Sequence, residues 1–232
     1  MKSSPIILAL DTDSLETAES WVKATHRYVG TYKVGLEFFL NFGREGIQRI
    51  SEMSEREIFL DLKLHDIPNT VAGAVRAVSD LQPRFLTVHA SGGREMVAAA
   101  VSEAGQIEIT AVTILTSLSQ ADVSQIGFNG SIDHLATSLA EQSAQAGAKA
   151  IVCSPFEIAA IRQAVGSKVS IITPGVRLAS GGDDQKRTKT PAQALSDGAD
   201  FLVIGRPITG AWKDGAAAME EAARVIASSL EA

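Results

Sequence analysis

Eight short runs rich in apolar and β-branched residues recur along this chain of 232 residues, and they constrain its fold more than any other feature. The runs begin at Ile6, Tyr32, Glu57, Phe85, Ile107, Lys149, Val169 and Phe201. The stretches between them carry apolar residues at three- and four-residue spacing, which is typical of amphipathic helices. Examples are residues 14–28, 68–79, 131–146 and 155–165. Strands that alternate with helices in this way predict a parallel sheet with right-handed crossovers.

Eight strand and helix units in this length are what a (β/α)8 barrel, or TIM barrel, requires. No linker rich in proline or glycine and no shift in composition divides the sequence, so we expect residues 1–232 to form a single barrel domain. A doubly wound open sheet is the competing architecture. It is disfavoured because the first strand is followed by the acidic segment ALDTD instead of a glycine-rich dinucleotide loop.

The charge of the chain restricts the partners that it can bind. The net charge of −6 argues against general affinity for nucleic acid or for an anionic membrane. No apolar run approaches the length of a membrane span, and the first run is too short for the core of a signal peptide. The single cysteine, Cys153, fits a reducing compartment. We therefore expect a cytoplasmic protein with a small ligand.

Polar side chains cluster where a barrel carries its functional site, which is at the carboxyl ends of the strands and in the loops that follow. Asp11 ends the first strand, Lys33 lies in the second, and His89 ends the fourth. Thr116 and Ser117 follow the fifth strand. These positions predict that polar groups from several strands meet at one mouth of the barrel.

Residues 59–70, FLDLKLHDIPNT, place charges inside an otherwise apolar strand. Because side chains alternate along a strand, Asp61 and Lys63 should share one face. Such a pair is by itself more often structural than catalytic. Here Asp66 and Lys33 add two more charges to the same mouth, and an array of four alternating charges is costly to desolvate. We therefore interpret these four charges as a functional site that positions reactive groups, and not as a device that stabilises the fold.

The loops after the last two strands are candidates for a phosphate site. In barrels these loops commonly hold phosphate on backbone N–H groups, and Arg206, beside Gly205, is a natural charge partner. Arg177 and Gln185 belong to the loop 173–191, which is too long and too rich in glycine for a simple connection. It indicates a lid or a binding loop. The four histidines show no metal-ligand spacing.

In the order LALD, YKVGLEFF, LDLKLHDIPNTV, VHASGG, AVTILTSL, TPGVR, GDDQKR and VIGRPIT, these segments resemble the bacterial type of the orotidine 5′-phosphate decarboxylase family. The resemblance covers nearly the whole chain. It implies decarboxylation of orotidine 5′-phosphate to uridine 5′-phosphate (UMP), the last step of UMP and pyrimidine biosynthesis. It also implies that the reaction needs no metal and no organic cofactor.

The same resemblance implies a role for each candidate residue. Asp11 and Lys33 would hold ribose hydroxyls. Asp61 would sit against the substrate carboxylate, and Lys63 would stabilise and protonate C6 of the pyrimidine. The base and phosphate contacts would come from Thr116, Ser117, Arg177, Gln185, Gly205 and Arg206.

The resemblance further implies a homodimer in which Asp66 and Thr70 complete the neighbouring subunit's site. Two alternatives remain. A related barrel, as in keto-gulonate phosphate decarboxylases, shares the Asp-x-Lys-x-x-Asp strand and uses a metal, although such a site would want a carboxylate where Lys33 stands. The second alternative is a barrel that binds a nucleotide without catalysis. The complete set of Lys33, Asp61, Lys63 and Asp66 argues against it.

Overall fold

A computed structural model describes residues 4–176 and 189–230, and its strands close into a barrel of eight parallel strands. Neighbours in the barrel are neighbours in sequence, and the eighth strand pairs with the first. The strands are β1 (Ile6–Ala9), β2 (Thr31–Gly35), β3 (Glu57–Leu64), β4 (Phe85–His89), β5 (Glu108–Val112), β6 (Ala150–Val152), β7 (Ser170–Pro174) and β8 (Phe201–Ile204). The predicted (β/α)8 barrel is confirmed, and the open sheet is wrong.

Helices connect the strands on the outside of the barrel. They are α1 (Leu15–Thr25), α2 (Leu36–Met53), α3 (Pro68–Val78), α4 (Arg94–Ser102), α5 (Gln120–Gln125), α6 (Ile132–Gln145), α7 (Ile158–Val165), α8 (Pro191–Ser196), α9 (Arg206–Thr209) and α10 (Ala216–Ser228). The four helices predicted by example are all present. Helix α7 begins three residues later than its predicted start, because residues 154–157 form a turn closed by a bond from the Ser154 N–H to the Glu157 carboxyl. Within the described ranges, every helix is too short or too polar to cross a bilayer.

Apolar side chains fill both the layer between sheet and helices and the interior of the barrel. Every residue of β1 is buried, as expected for a parallel sheet that is covered on both faces. The larger cluster joins the outer face of the strands to the helices. A smaller cluster fills the interior and consists of Ile7, Phe59, Phe85, Ala150 and Ile172.

Arg84 closes the amino-terminal end of the barrel, opposite the mouth. Its guanidinium lies 4.6 Å from the ring centre of Phe85 and 4.8 Å from that of Phe201. It also forms ion pairs with Glu57 at 2.6 Å and Glu108 at 3.0 Å. Stacking on two rings and pairing with two carboxylates satisfies a partly buried charge, so this end is a filled floor.

Candidate active site

Four charged side chains of alternating sign form a continuous series at the carboxyl end of the barrel. The Lys33 ammonium lies 3.2 Å from Asp11 Oδ1 and 3.4 Å from Asp61 Oδ2. The Lys63 ammonium lies 2.8 Å from the other carboxylate oxygen of Asp61. The series arises because β2 and β3 are adjacent and Gly35 is in register with Asp61, which brings the ends of the two strands together. The predicted proximity of these side chains is confirmed.

Asp61 is the centre of this series and is only 9% exposed, as is Lys33. Burial by itself raises the pKa of the Asp61 carboxyl. The charges of Lys33 and Lys63, with hydrogen bonds from Lys63 and Thr87, outweigh burial and hold that pKa below its usual value. Asp61 is therefore a fixed anion at neutral pH, and each ammonium beside it is held in place by a buried partner.

Lys63 has an unusual backbone conformation that could not be predicted from the sequence. Its φ is +49°, in the left-handed region that a side chain with a Cβ rarely adopts. The pairing of β3 with β4 shifts at this point, because Leu60 pairs with Leu86 and Leu64 with Val88. Three residues of β3 thus face a single residue of β4, which is a bulge. Simple alternation placed Asp61 and Lys63 on one face but did not predict this irregularity.

A cavity of about 940 Å3 opens beside the charged series. Asp11 and Lys33 line one part of its wall, and the turn at residues 154–157 lines another. Four further residues predicted for the site line the same cavity: Thr116, Ser117, Gly205 and Arg206. The loops after β1, β5 and β8 therefore meet around one space. Arg177 and Gln185, the other two predicted contacts, lie outside the described residues.

Asp66 and Thr70, the last two residues predicted for the site, are both exposed. Asp66 is exposed, and its carboxylate accepts a hydrogen bond from the Ile67 N–H at 2.6 Å. Thr70 is exposed in the first turn of α3, which begins at Pro68 as predicted. In the described part of the chain, Lys63 forms its ion pair with Asp61 and forms none with Asp66. Asp66 thus does not extend the series of ion pairs within one subunit, and its role at the mouth stays a prediction.

Comparison with known proteins adds a second line of information to this geometry. The family model described as "Orotidine 5'-phosphate decarboxylase / HUMPS family" matches residues 4–222. The chain belongs to this family.

Orotidine 5′-phosphate decarboxylases are among its relatives in this family. The protein of that name from Thermobifida fusca is 50% identical over 224 residues, which cover 96% of each chain. The one from Frankia casuarinae is 43% identical over 250 residues, covering 99% of this chain and 88% of the relative. The crystal structure of the Lactobacillus acidophilus enzyme superposes with a TM-score of 0.84 at 33% identity and covers 99% of this chain and all of its own.

Two histidines, His65 and His89, lie next to each other near the mouth. The rings of His65 and His89 are 5.2 Å apart between centres. Burial, with the charges of His65 and Lys63, lowers the pKa of His89. Within residues 4–176 and 189–230, no three His, Cys, Asp or Glu side chains lie close enough together to hold a metal ion.

Glu157, which the sequence did not single out, is a buried carboxyl in the cavity wall. It is 4% exposed, and one oxygen accepts the Ser154 N–H at 3.1 Å. Burial is the main reason why its pKa rises from 4.5 to about 7, and Asp133 adds to the rise. The sequence pattern did not reveal that Glu157 is buried. A glutamate directly before a helix is usually exposed, and nothing in the spacing of its neighbours distinguishes this one.

We predict that the contribution of Glu157 to the stability of the protein falls as the pH rises from about 4.5 to about 7, because its carboxyl ionises over this range. The folded state holds this proton more tightly than the unfolded state, so the contribution is fully present below the unfolded pKa and is lost above the folded one. Glu157→Gln should abolish this slope and, at pH 8, raise the free energy of unfolding by on the order of 3 kcal/mol. Urea unfolding at pH 5 and pH 8 measures both effects, with the exposed Glu141→Gln as control. Equal slopes in wild type and Glu157→Gln would contradict the prediction.

Proposed function

We propose that this protein decarboxylates orotidine 5′-phosphate to UMP, as a single cytoplasmic barrel domain that acts in pyrimidine biosynthesis. The observation that carries the proposal is the alternating series of Asp11, Lys33, Asp61 and Lys63, with Lys33 and Asp61 buried at its centre, beside a cavity large enough for a nucleotide. Membership of the orotidine 5′-phosphate decarboxylase / HUMPS family supports it.

The lining of the cavity suggests how a nucleotide is oriented. The carboxylate of Asp11 and the ammonium of Lys33 suit ribose hydroxyls, since one accepts hydrogen bonds and the other donates them. Thr116 and Ser117 offer hydroxyl groups to the polar edge of the pyrimidine. The phosphate would lie against Gly205 and Arg206, which line the cavity. The further phosphate contacts predicted from the sequence, Arg177 and Gln185, lie outside the described residues. In this pose the carboxylate and C6 of the base would lie next to Asp61 and Lys63, which continue the charged series from Lys33 in the cavity wall.

The chemical step breaks the bond between C6 and the carboxylate carbon. Carbon dioxide leaves without the bonding electrons, which remain on C6 as a vinylic carbanion with no adjacent carbonyl to accept them. The Lys63 ammonium stabilises this charge and then donates a proton to C6, which gives UMP. The neutral amine of Lys63 regains a proton from solvent. The charges needed for these steps come from the protein, so the proposal calls for no metal and no organic cofactor.

The size of the electrostatic effect can be estimated. A unit charge pair about 4 Å apart is worth roughly 4 kcal/mol at an effective dielectric constant near 20, or about three decades in rate. Asp61 contributes as a fixed anion against the substrate carboxylate, and the repulsion ends when carbon dioxide leaves. The remainder of the acceleration would come from binding energy at the distant phosphate.

We further propose a homodimer in which Asp66 and Thr70 reach the neighbouring subunit's site. Three large apolar side chains are exposed near the starts of α2 and α3: Leu36 at 49%, Leu40 at 80% and Ile67 at 66%. Both helices begin at the carboxyl end of the barrel, so these side chains and Asp66 belong to the same end of the molecule. Removing an apolar surface of this kind from water is favourable, so its burial against a second copy would stabilise the dimer.

The first experiment is an ultraviolet assay of the purified protein with orotidine 5′-phosphate, with and without a chelator. We expect consumption of substrate, formation of UMP and no effect of the chelator. Activity that is lost with chelator and returns with a divalent cation would favour the metal-dependent alternative. In this structure the ammonium of Lys33 stands between two carboxylates, where such a cation would have to displace it. Binding of UMP without turnover would favour a non-catalytic barrel.

We predict that Arg206→Ala weakens the capture of phosphorylated substrate. The loss of one charge-assisted phosphate contact, worth about 1.5–3 kcal/mol, should lower kcat/KM by about tenfold to a hundredfold. Steady-state kinetics at fixed ionic strength measure this change. The exposed Arg27, which follows α1 at the opposite end of the barrel, gives the matched control Arg27→Ala.

Orotidine without its phosphate tests the assignment directly. Because this substrate has nothing for Arg206 to hold, its slow turnover should be the same in wild type and Arg206→Ala. Added phosphite dianion should partly restore its turnover in the wild type. If Arg206→Ala leaves kcat/KM for the phosphorylated substrate unchanged, the phosphate binds elsewhere.

A further inference from the structure

Thr87, in the middle of β4, is the residue that faces the bulge at Lys63. The pairing of β3 and β4 skips from Leu60 and Leu86 to Leu64 and Val88, so Thr87 alone stands opposite residues 61–63. Its side chain is fully buried. A polar group in this position needs partners, and among the described residues those of Thr87 are Lys63 and Asp61, on which the proposed chemistry depends.

The two partners of Thr87 determine which hydrogen bond its hydroxyl accepts and which it donates. The backbone N–H of Lys63 lies 2.8 Å from the Thr87 hydroxyl oxygen, which must accept because an N–H can only donate. The hydroxyl therefore has its own proton to donate, and its second partner is Asp61 Oδ1 at 3.1 Å. An ionised carboxylate can only accept, so both bonds are satisfied at once.

Together these contacts form a closed ring. It runs from the Lys63 backbone N–H to the Thr87 hydroxyl, then to Asp61 Oδ1, and back to Lys63 through its ammonium, which is 2.8 Å from the same oxygen. Thr87 therefore connects the backbone of Lys63, in its left-handed conformation, to the carboxylate that holds its side chain. Without the hydroxyl, the backbone N–H at the bulge loses its partner and Asp61 loses a donor.

We propose that Thr87 is a positioning residue for decarboxylation, which holds the backbone of Lys63 in its left-handed conformation and orients the Asp61 carboxylate. The inference rests on the proposed function for its effect on turnover. Thr87 touches Lys63 and Asp61 and acts through them. A displacement of a catalytic group by about 1 Å can lower a rate about a hundredfold, which sets the expected effect.

The variants are Thr87→Val, which keeps the shape and removes the hydroxyl, and Thr87→Ser, which keeps the hydroxyl. Thr110 provides a matched control. It pairs with Thr87 across β4 and β5, is equally buried, and donates its hydroxyl proton to the carbonyl of Glu108, away from the charged series. Thr110→Val therefore tests the loss of a buried strand hydroxyl in general. Should Thr87→Val fail to fold, Thr87→Ala removes the same hydroxyl without adding an apolar group.

We expect Thr87→Val to lower kcat about a hundredfold while the dissociation constant for UMP changes less than about threefold. Thr87→Ser should recover to within about threefold of wild type, and Thr110→Val should stay there. A merely structural role would affect Thr87→Val and Thr110→Val alike and would not separate kcat from product binding. A kcat of Thr87→Val within about threefold of wild type overturns the inference.

A second measurement does not depend on activity. Exchange of the Lys63 amide proton with solvent, followed by NMR, should become at least about tenfold faster in Thr87→Val but not in Thr87→Ser or Thr110→Val. Unchanged exchange overturns the inference even if the wild type proves inactive on orotidine 5′-phosphate. An inactive wild type with faster Lys63 exchange in Thr87→Val refutes the proposed function while the positioning of Lys63 by Thr87 stands.

Discussion

Lys63→Ala should lower turnover of orotidine 5′-phosphate at least about a thousandfold, because one ammonium near C6 is worth about three decades in rate. Binding of UMP should remain largely intact, since the lysine charge acts mainly on the carbanion-like transition state. Single-turnover kinetics give the rate of the chemical step, and calorimetry with UMP gives the affinity. Circular dichroism and thermal unfolding establish that the variant is folded.

Two further variants sharpen this test. Lys63→Arg keeps a positive charge, but a guanidinium does not give up its proton, so it separates charge stabilisation from proton donation. Lys149→Ala removes an exposed lysine at the amino-terminal end of β6 and should behave as wild type. Turnover of Lys63→Ala within tenfold of wild type would remove Lys63 from the mechanism.

Co-refolding of Lys63→Ala chains with Asp66→Ala chains should restore activity that neither variant has alone. In a two-fold dimer each interface residue serves the opposite subunit. A hybrid therefore carries one site with both defects and one site in which Lys63 and the partner's Asp66 are intact. Asp66 is suited to this role, since it is exposed beside Ile67 and has no ion pair to Lys63 within the described residues of its own chain.

The expected recovery follows from counting. Random mixing of equal amounts gives about half hybrids, each with one intact site of two, so the mixture should reach about a quarter of wild-type activity. The variants must be unfolded and refolded together, with separately refolded variants mixed afterwards as the control. If a verified hybrid shows no recovery although both variants fold and dimerise, Asp66 acts within its own chain.

Most of the fold was accessible from the sequence, because hydrophobic patterning reports burial directly. All eight predicted runs form strands, and each begins within one residue of its predicted start. The mouth of the barrel was also predictable, since charges inside apolar strands are costly and gather where strands end. Asp11, Lys33, Asp61 and Lys63 were found in this way, and their contacts bear out their predicted proximity.

What the sequence did not provide depends on contacts between distant segments. Thr87 lies in the apolar run FLTVHA, where a β-branched residue is expected for its strand propensity alone. Its role appears only when the β3 bulge places it opposite residues 61–63. Glu157 was missed for a similar reason, because its burial depends on how the turn at 154–157 folds back against the wall. The assembly of subunits likewise involves a second chain, which patterning within one chain does not describe.

Within the described residues, the filled floor closes the amino-terminal end of the barrel and leaves the mouth at its carboxyl end as the route to Lys63. Arg84 seals the far end, and the side chains of Phe59 and Phe85 occupy the space above it, with ring centres 5.5 Å apart. A molecule that reaches Lys63 therefore enters and leaves through the same opening. A compound lodged at the rim would obstruct incoming substrate and outgoing product alike, without imitating the charge of either one.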